Sequence, residues 1–589
     1  MNMANRLKKL RSEMLLKNID AYIVPTSDPH GSEYPATRWG GRSWISSFYG
    51  SAGTVVITAD SAGLWTDGRY HIFAEDLLAD QPMDLYKMGI PGVPTINQWL
   101  VDTLPTDACV GFDGRLFSVD AVRTMKTAFE KKSFKTSSEF DLLDSIWDDR
   151  PGAPQEENFD HLVKYAGTTR LEKLTKLRAK MTELETNCHI LTVLDDISWL
   201  YNIRLNDAMP AFGQAYTIVT EDNAILFIDS KSITNIRETL ETDGIEIRPY
   251  DSIIESVKSL PESSKILLAA KFTNWEVYNS CPEACQIVEA ENPTRLFKSM
   301  KNETEISNSH QAHLKDGVAM VKLIRWVEEN AGSGITEWDV SLKAEAFRRE
   351  QENNFGVSFT TIPGYQENAA MMHYSPTAEK SATLQKEGFL LIDSGGQYID
   401  GLTDTTRTLM LGPVTDDMKK YYTLVLQGMI RLSMAKFPKG TRGANLDILS
   451  RQPLWQEGAD YRCGTGHGVG YFLNVHEGPQ SFSQALLDVP IELGMMTTIE
   501  PGYYPAGEYG IRIENIVLTQ LDETTEYGDY YKFEFMTLCP IDTKPVLAEL
   551  LSPSELTYLN NYHATVFEKL SPRLNTEEQA WLKEVTKAI

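Results

Sequence analysis

Four acids and one histidine in the C-terminal third of the chain stand at the ends of apolar runs or inside them. These residues are Asp393, Asp404, His467, Glu500 and Glu514. The apolar run 388–392 predicts a buried strand, which Asp393 ends. Glu500 ends the run 495–499, and Pro501-Gly502 turns the chain immediately after it. An unpaired buried carboxylate is costly, and each of these acids therefore needs a partner or a bound ion.

Four carboxylates and one imidazole have the composition of a site for two divalent metal ions. Carboxylate oxygens favour a hard ion such as Mn²⁺, while the imidazole leaves Zn²⁺ and Co²⁺ as alternatives. Bridging carboxylates would hold two such ions about 3.5–4 Å apart, with a shared hydroxide as nucleophile. Taken singly, the same residues also fit ordinary roles, since Asp is common in glycine turns and a buried histidine is often satisfied by hydrogen bonds.

The residues around these groups predict strands and tight turns. The run 511–518 alternates, which predicts one strand with Arg512 and Glu514 on the face opposite the isoleucines. Asp404 precedes a predicted strand from Thr405 to Met410. His467 lies in the glycine-rich stretch 464–470, whose glycines allow close backbone approach around the imidazole.

The N-terminal part of the chain has the pattern of an α/β domain. A predicted helix (4–17) leads into a predicted strand at 20–24, and a second strand follows at 54–58. Segments similar to 7–14, 57–60 and 64–67 recur in the same order at 174–181, 219–222 and 226–229. This weak repeat predicts two copies of one α/β domain, with chance similarity as the alternative. The stretch from Arg150 to Glu157 is the predicted linker.

A third domain is predicted to begin near residue 303. Asn302 followed by Glu305 fits a helix N-cap with a reciprocal acid, and a helical apolar stripe follows. Beyond residue 355 the pattern predicts strands with glycine turns, and helix again only after about Pro553. The predicted architecture is α/β and α+β, with domains at 1–157, 158–302 and 303–589.

Composition narrows the classes of function. The 589 residues include 56 Lys and Arg against 82 Asp and Glu, a net charge of −26. This balance argues against nucleic acid and anionic membranes as partners, since both need a positive surface. Six cysteines are too few for a disulfide framework, and no apolar stretch has the length of a membrane span. We therefore expect a cytoplasmic protein.

Together, these motifs resemble the metallopeptidases of the pita-bread fold, and more closely the three-domain cytosolic Xaa-Pro aminopeptidases (aminopeptidase P). The resemblance extends over nearly the whole chain. It is carried by the five residues above and by the segments 22–25, 32–34, 50–54, 65–70, 371–376, 464–470, 474–479, 500–504 and 511–515. It implies two related creatinase-N-like domains, a C-terminal pita-bread catalytic domain and a homodimer.

The resemblance also implies a role for each site residue. Asp393 would bind one metal ion, His467 and Glu500 the other, and Asp404 and Glu514 would bridge them. Glu500 would also shuttle the proton of the nucleophile. The remaining implied residues are His373 and His476 as catalytic and substrate-binding histidines, Arg69 as a substrate contact and Arg512 as a residue that orients the acidic ligands.

The implied reaction is hydrolysis of the N-terminal Xaa-Pro bond in peptides with proline at the second position. The alternatives are an Xaa-Pro dipeptidase (prolidase), which shares the five ligands, and creatine amidinohydrolase, which shares the fold without them. A relative that binds proteins without catalysis is a further alternative, and such relatives usually lose ligands. One departure is Cys463, where the family carries histidine before Gly-Thr-Gly-His.

Overall fold

A computed structural model describes residues 1–154, 156–206 and 210–589. These residues form two compact units. The first unit contains the described residues of 1–160, 170–206 and 212–294, and the second contains those of 161–169, 207–211 and 295–589. The predicted linker from Arg150 to Glu157 includes position 155, which lies outside the described residues.

The N-terminal segment of the first unit is a six-stranded sheet with helices. Its strands are β1 (Ala21–Pro25), β2 (Thr54–Thr58), β3 (Ala62–Thr66), β4 (Asp84–Lys87), β5 (Cys109–Phe112) and β6 (Lys135–Ser137). Its helices are α1 (Met3–Leu16), α2 (Gly41–Ser46), α3 (His71–Leu78), α4 (Ile96–Thr103) and α5 (Val119–Phe129). The helix predicted at 4–17 and the strands predicted at 20–24 and 54–58 are each confirmed to within one residue.

The segment that follows contains a second six-stranded sheet. Its strands, with the small pair β7 and β9, are β7 (Asn158–Asp160), β8 (Cys188–Leu191), β9 (Ile203–Leu205), β10 (Ala215–Thr220), β11 (Ala224–Ile228), β12 (Ile245–Arg248), β13 (Lys265–Leu268) and β14 (Gln286–Glu289). The helices of this segment are α6 (Val163–Ala166), α7 (Arg170–Glu183), α8 (Leu194–Tyr201), α9 (Arg237–Thr242), α10 (Ile253–Lys258), α11 (Trp275–Asn279) and α12 (Pro293–Ser299).

The two large sheets have the same topology. Their strand orders are β4-β3-β2-β1-β5-β6 and β12-β11-β10-β8-β13-β14. In the first sheet, β1 pairs antiparallel with β2 and parallel with β5. In the second sheet, β8 likewise pairs antiparallel with β10 and parallel with β13. The prediction of two related α/β domains is therefore confirmed by strand order and direction as well as by the sequence repeat.

The C-terminal part of the chain is a mixed α+β domain. Its strands are β15 (Asn354–Val357), β16 (Ile362–Tyr365), β17 (Phe389–Ser394), β18 (Gly396–Tyr398), β19 (Gly401–Leu402), β20 (Thr405–Met410), β21 (Lys436–Pro438), β22 (Gly466–His467), β23 (Ser481–Phe482), β24 (Met496–Ile499), β25 (Gly502–Tyr503), β26 (Ile511–Arg512), β27 (Asn515–Thr525) and β28 (Gly528–Phe535). Its helices are α13 (Glu303–Asn330), α14 (Glu337–Arg349), α15 (Asp416–Ser433), α16 (Gly443–Gln456), α17 (Pro553–Leu570) and α18 (Thr576–Val585).

Two antiparallel ladders of this domain hold the residues beside the acids in fixed register. In the sheet β16-β17-β20, Asp393 pairs with Thr406. In the sheet β21-β28-β27-β24, Ile499 pairs with Asn515. Glu500 directly follows the first of these residues, and Glu514 directly precedes the second. The predicted capping box at the start of α13 is present, since the Asn302 side chain accepts from the Glu305 N–H and the Glu305 carboxylate accepts from the Asn302 N–H.

The prediction of strands alone between residue 355 and about Pro553 is wrong. Helices α15 and α16 lie in this range. The N-cap Thr415 accepts a hydrogen bond from the Met418 N–H, and apolar residues of α15 recur at helical spacing. The buried residues that make this stripe are Met418, Tyr422, Val425, Leu426, Met429 and Ile430. Glycine turns on both sides of these helices produced the error.

Two strand boundaries also differ from the prediction. Asp393 lies inside β17 instead of after it, and the strand predicted at 511–518 divides into β26 and β27. Glu514 lies between them because its N–H donates to the carbonyl oxygen of Thr406, 3.1 Å away, and leaves the regular ladder. Among the described residues, no helix combines the length and apolar character that crossing a membrane requires.

Gly428 in α15 tests the packing of this helix against α16. A Cβ at this position would overlap the backbone carbonyl of Ser450 in α16. Replacing a helix glycine by alanine adds about 1 kcal/mol of helix propensity, whereas overpacking against backbone costs about 1–3 kcal/mol. We therefore expect Gly428→Ala to lower the thermal unfolding midpoint of the protein, measured by circular dichroism. An increase in the midpoint would show that the two helices separate without cost.

Candidate metal centre

The structure brings the acids of the sequence motif together around His467. The Nε2 atom of His467 lies 3.3 Å from Oε1 of Glu500 and 3.6 Å from Oδ2 of Asp404. Ligand atoms of Asp404, His467 and Glu514 all lie within 4.8 Å of one another. Asp393 is close enough to this group to affect the pKa of its acids. All five residues lie in the second unit.

The backbone around His467 fixes the direction of its ring. Its N–H donates to the Thr498 hydroxyl at 3.0 Å, and the Glu500 N–H donates to the Thr465 carbonyl oxygen at 2.7 Å. This approach requires glycine at position 466, because a Cβ there would overlap the Thr498 carbonyl. Nδ1 of His467 lies 2.9 Å from the Gly468 carbonyl oxygen, which can only accept. Nδ1 therefore carries the proton, and Nε2 presents its lone pair to the acids.

Two buried carboxylates each have one oxygen in a hydrogen bond and one without a partner. Oε2 of Glu514 accepts from the Thr406 hydroxyl at 2.7 Å, and Oδ2 of Asp393 accepts from Arg512 at 2.5 Å. Oε1 of Glu514 and Oδ1 of Asp393 are buried with no hydrogen-bond partner among the described residues. A buried oxygen without a donor is costly unless a cation neutralises it. The donor set therefore fits divalent cations.

Burial and mutual repulsion shift the acids toward their protonated forms. Burial raises the pKa of Asp404 and of Glu514 well above the usual range, and the neighbouring carboxylates add to both shifts. Burial likewise raises the pKa of Glu500 to about 7, with Arg512 acting against it. Bound cations would reverse this balance and keep the carboxylates ionised.

Arg512 connects three residues at the edge of the acidic group. Its Nη1 lies 2.7 Å from the Tyr504 hydroxyl, and its Nε lies 3.2 Å from the hydroxyl of Thr406. Its Nη2 donates to Asp393. Because Thr406 in turn donates to Glu514, one guanidinium orients two of the acids.

Arg407 is a functional residue that sequence reasoning missed. Its side chain is fully buried and donates to the backbone carbonyl of Glu514 at 2.5 Å and to the side chain of Asn515 at 2.8 Å. It also donates to the carbonyl oxygens of Cys539 and Pro540. Arg407 therefore fixes the backbone that presents Glu514. The available signal was an arginine in the middle of a strand whose other residues are apolar or threonine.

The two histidines expected to bind substrate lie in different surroundings. The His476 ring packs edge-on against His467, with ring centroids 4.3 Å apart. The next residue, Glu477, is buried and pairs with Lys301 at 2.5 Å and Lys298 at 3.2 Å, which anchors this segment. His373 is half-buried in the segment after the short helix 366–370.

Arg69 and Cys463 complete the residues singled out in the sequence. Arg69 lies in the first unit, where Asp67 accepts from its Nε at 2.9 Å and its Nη2 at 2.8 Å. Burial raises the pKa of the Cys463 thiol to about 11, and nearby Glu500 adds to this shift. Cys463 is therefore a neutral thiol next to the acidic group, in the position where a histidine was expected.

The fold and the site define a metallopeptidase with creatinase-type N-terminal domains. The model of metallopeptidase family M24 matches residues 308–520, and the C-terminal region of peptidase M24 matches residues 529–589. Two models of the creatinase/prolidase N-terminal domain match residues 6–146 and 149–305.

Full-length relatives narrow the class to one family. A "Probable Xaa-Pro aminopeptidase P" of Laccaria bicolor is 40% identical over 99% of this chain and 93% of its own length. "Aminopeptidase P2" of Arabidopsis thaliana is 39% identical over 97% of this chain and 86% of its own length. An X-prolyl aminopeptidase from Caenorhabditis elegans, described as a cytosolic enzyme with a di-nuclear active site, superposes with a TM-score of 0.95 at 32% identity and full coverage of both chains. The chain belongs to the Xaa-Pro aminopeptidase P family of M24 metallopeptidases.

The raised pKa values predict how metal binding depends on pH. In the metal-free protein these acids bind more protons folded than unfolded, so stability falls as the pH rises through about 7, the pKa of Glu500. Divalent ions remove this cost and compete with protons for the same oxygens. We therefore expect Mn²⁺ to raise the unfolding midpoint of chelator-treated protein more at pH 8 than at pH 6, measured by differential scanning fluorimetry.

The matched control is Asp404→Asn, which removes one acid of the group and should weaken the Mn²⁺ effect at both pH values. An equal Mn²⁺ effect on the wild-type protein at pH 6 and pH 8 would contradict the assignment of these acids as metal ligands.

Proposed function

We propose that the protein hydrolyses the N-terminal Xaa-Pro bond of peptides, with two divalent ions bound by Asp393, Asp404, His467, Glu500 and Glu514. Two observations carry this proposal. Asp393 and Glu514 each have a buried carboxylate oxygen that accepts no hydrogen bond from any described residue. Nε2 of His467 faces the carboxylates of Asp404 and Glu500. The names of the full-length relatives support the substrate class.

Asp393 would bind one ion, His467 and Glu500 the other, and Asp404 and Glu514 would bridge them. Mn²⁺ is the proposed metal because oxygen donors dominate the set, with Zn²⁺ and Co²⁺ as the alternatives. When bound, such ions lower the pKa of water to give a nucleophile near neutral pH and polarise the scissile carbonyl.

The side chains of this chain supply the remaining steps. Glu500, kept ionised by the bound ions, accepts the proton of the attacking water and passes it to the leaving proline nitrogen. His373 and His476 donate hydrogen bonds to the substrate carbonyl and to the oxyanion that forms from it. Arg69 contacts the peptide, and Arg512 keeps Asp393 in the orientation that binds the ion.

Proline in the second position has a physical basis. The Xaa-Pro bond is a tertiary amide with no N–H, and the ring fixes φ near −65°. A pocket shaped for the ring therefore needs no acceptor for a backbone hydrogen. This preference comes from the family and is extended to this chain as part of the proposal.

The chain is further proposed to contain three domains. The domain boundaries are placed at 157/158 and 302/303, close to the limits of the three domain models that match the chain. The protein is proposed to act as a homodimer in the cytoplasm, where the similar Caenorhabditis elegans enzyme is described as cytosolic. The doubled N-terminal domain favours the aminopeptidase over a prolidase, and the intact acid–histidine set favours catalysis over a purely protein-binding role.

Two substrates distinguish these activities. We expect metal-stripped protein reconstituted with Mn²⁺ to release free arginine from Arg-Pro-Pro, and to cleave the dipeptide Ala-Pro poorly, measured by chromatography of the products. Glu500→Gln should lower kcat by roughly 10²–10⁴-fold, since it removes the proton acceptor. The exposed neighbour Glu508→Gln is the control and should retain wild-type turnover.

Cleavage of the dipeptide alone would identify a prolidase. Absence of turnover on both substrates, together with absence of bound metal, would contradict the enzymatic proposal and leave a binding protein.

A further inference from the structure

Glu337 is a buried carboxylate outside the acidic group that fixes a long segment of the chain. Glu337 is the first residue of α14 and has no exposed surface. Its two oxygens accept five hydrogen bonds, so its acceptor capacity is fully used. The donors are backbone or side-chain groups of Tyr365, Asn368, Tyr374 and Ala382, and all of them are neutral.

These donors belong to one continuous segment of the chain. The N–H groups of Tyr365 and Ala382 mark its two ends, and both lie 2.7 Å from a Glu337 oxygen. Between them, the Asn368 amide donates at 2.9 Å to one oxygen and at 3.2 Å to the other, and the Tyr374 hydroxyl donates at 2.8 Å. One carboxylate thus joins four points of the segment 365–382, which carries His373 next to Tyr374.

The segment 365–382 contains little regular structure that could fix its conformation without Glu337. Within the segment, only the short helix 366–370 is regular, and a pair of backbone hydrogen bonds joins Thr377 to Lys380. Hydrogen bonds to an ionised carboxylate are shorter and stronger than neutral ones, and the N-terminus of α14 favours the negative charge. Burial and the adjacent Glu337 carboxylate raise the pKa of Tyr374, which keeps its phenol protonated as a donor.

Ala369, near the start of the same segment, packs against Gly510, two residues before Arg512. A Cβ at Gly510 would overlap the Ala369 backbone carbonyl, and a Cβ at Gly364 would lie 2.7 Å from the Ala369 Cα. The segment is therefore fixed at its base against the chain next to the acidic group and along its length by Glu337.

We propose that Glu337 is a positioning residue: its carboxylate sets the conformation of 365–382 and thereby the place of His373 during peptide hydrolysis. This inference rests on the proposed function, because it takes the role of His373 from there. The hydrogen bonds that the Glu337 carboxylate accepts all come from 365–382, so its effect on turnover passes through His373.

The test is a double-mutant cycle of Glu337→Gln and His373→Ala, with kcat and KM measured on Arg-Pro-Pro and bound metal measured by mass spectrometry. Gln keeps the size of the side chain but replaces one accepting oxygen by an NH₂ group that faces donors. We expect Glu337→Gln to lower kcat/KM by about ten- to hundredfold with full metal content. The double variant should be no less active than His373→Ala alone, because both changes remove the same contribution.

Glu555→Gln is the matched control. Glu555 is also a buried acid at a helix N-terminus, where it accepts from Ser552, Gln427 and Arg431. It should lower the unfolding midpoint as much as Glu337→Gln and leave kcat/KM within about twofold of the wild-type value. If Glu337→Gln does not fold, Tyr374→Phe removes a single hydrogen bond and should give a smaller loss in the same direction.

Wild-type kcat/KM in Glu337→Gln and Tyr374→Phe, or losses that multiply in the double variant, would overturn the proposal. If His373→Ala alone keeps wild-type activity, the assumed role of His373 fails instead. If the wild-type protein cleaves no Xaa-Pro peptide, the proposed function fails. Faster hydrogen exchange in 365–382 of Glu337→Gln would then still support the anchoring of the segment, and unchanged exchange would refute it.

Discussion

The structure of the C-terminal domain depends on one electrostatic constraint: several carboxylates are buried side by side. Asp404 and Glu514 are at least 95% buried, and burial raises the pKa of both. Neighbouring carboxylates add to each shift: Asp393 and Glu500 at Asp404, and Asp404 at Glu514. Carboxylates that are buried next to one another are stable only when they are protonated or when cations lie between them. In the described part of the chain, one guanidinium, that of Arg512, contacts the group directly, and a single positive charge cannot balance four acids. Divalent ions satisfy both the charge and the buried oxygens without donors.

The surrounding fold is arranged so that the acids cannot move apart. Antiparallel pairing of β17 with β20 holds Asp393 beside Thr406, and pairing of β24 with β27 holds Ile499 beside Asn515. The hydrogen bond from the Thr406 hydroxyl to the Glu514 carboxylate then joins these two parts of the domain, 108 residues apart in the chain. Arg407 fixes the backbone of Glu514 by donating to its carbonyl oxygen. Gly466 allows the close approach to Thr498 that orients His467. A metal site of this kind therefore needs a whole domain, because its residues come from separate strands and each strand must be held in register.

The sequence alone predicts much of this arrangement. The five acid and histidine positions, the repeat of the α/β domain and the cap of α13 all follow from short-range patterns, and the structure contains the repeat and the cap as expected. The features that the sequence did not predict depend on contacts between residues far apart in the chain. Helices α15 and α16 were missed because glycine turns around them suggested strands, although α15 has a clear apolar stripe. Glu337 gave no signal, since its donors lie 28 to 45 residues further along the chain and only folding brings them together.

An anomalous difference map from crystals of the protein grown with Mn²⁺ would locate the bound ions directly. We expect two peaks among Asp393, Asp404, His467, Glu500 and Glu514, about 3.5–4 Å apart, with Asp404 and Glu514 adjacent to both. A single peak, or peaks bound elsewhere with these five side chains contacting only one another, would contradict the proposed two-ion site.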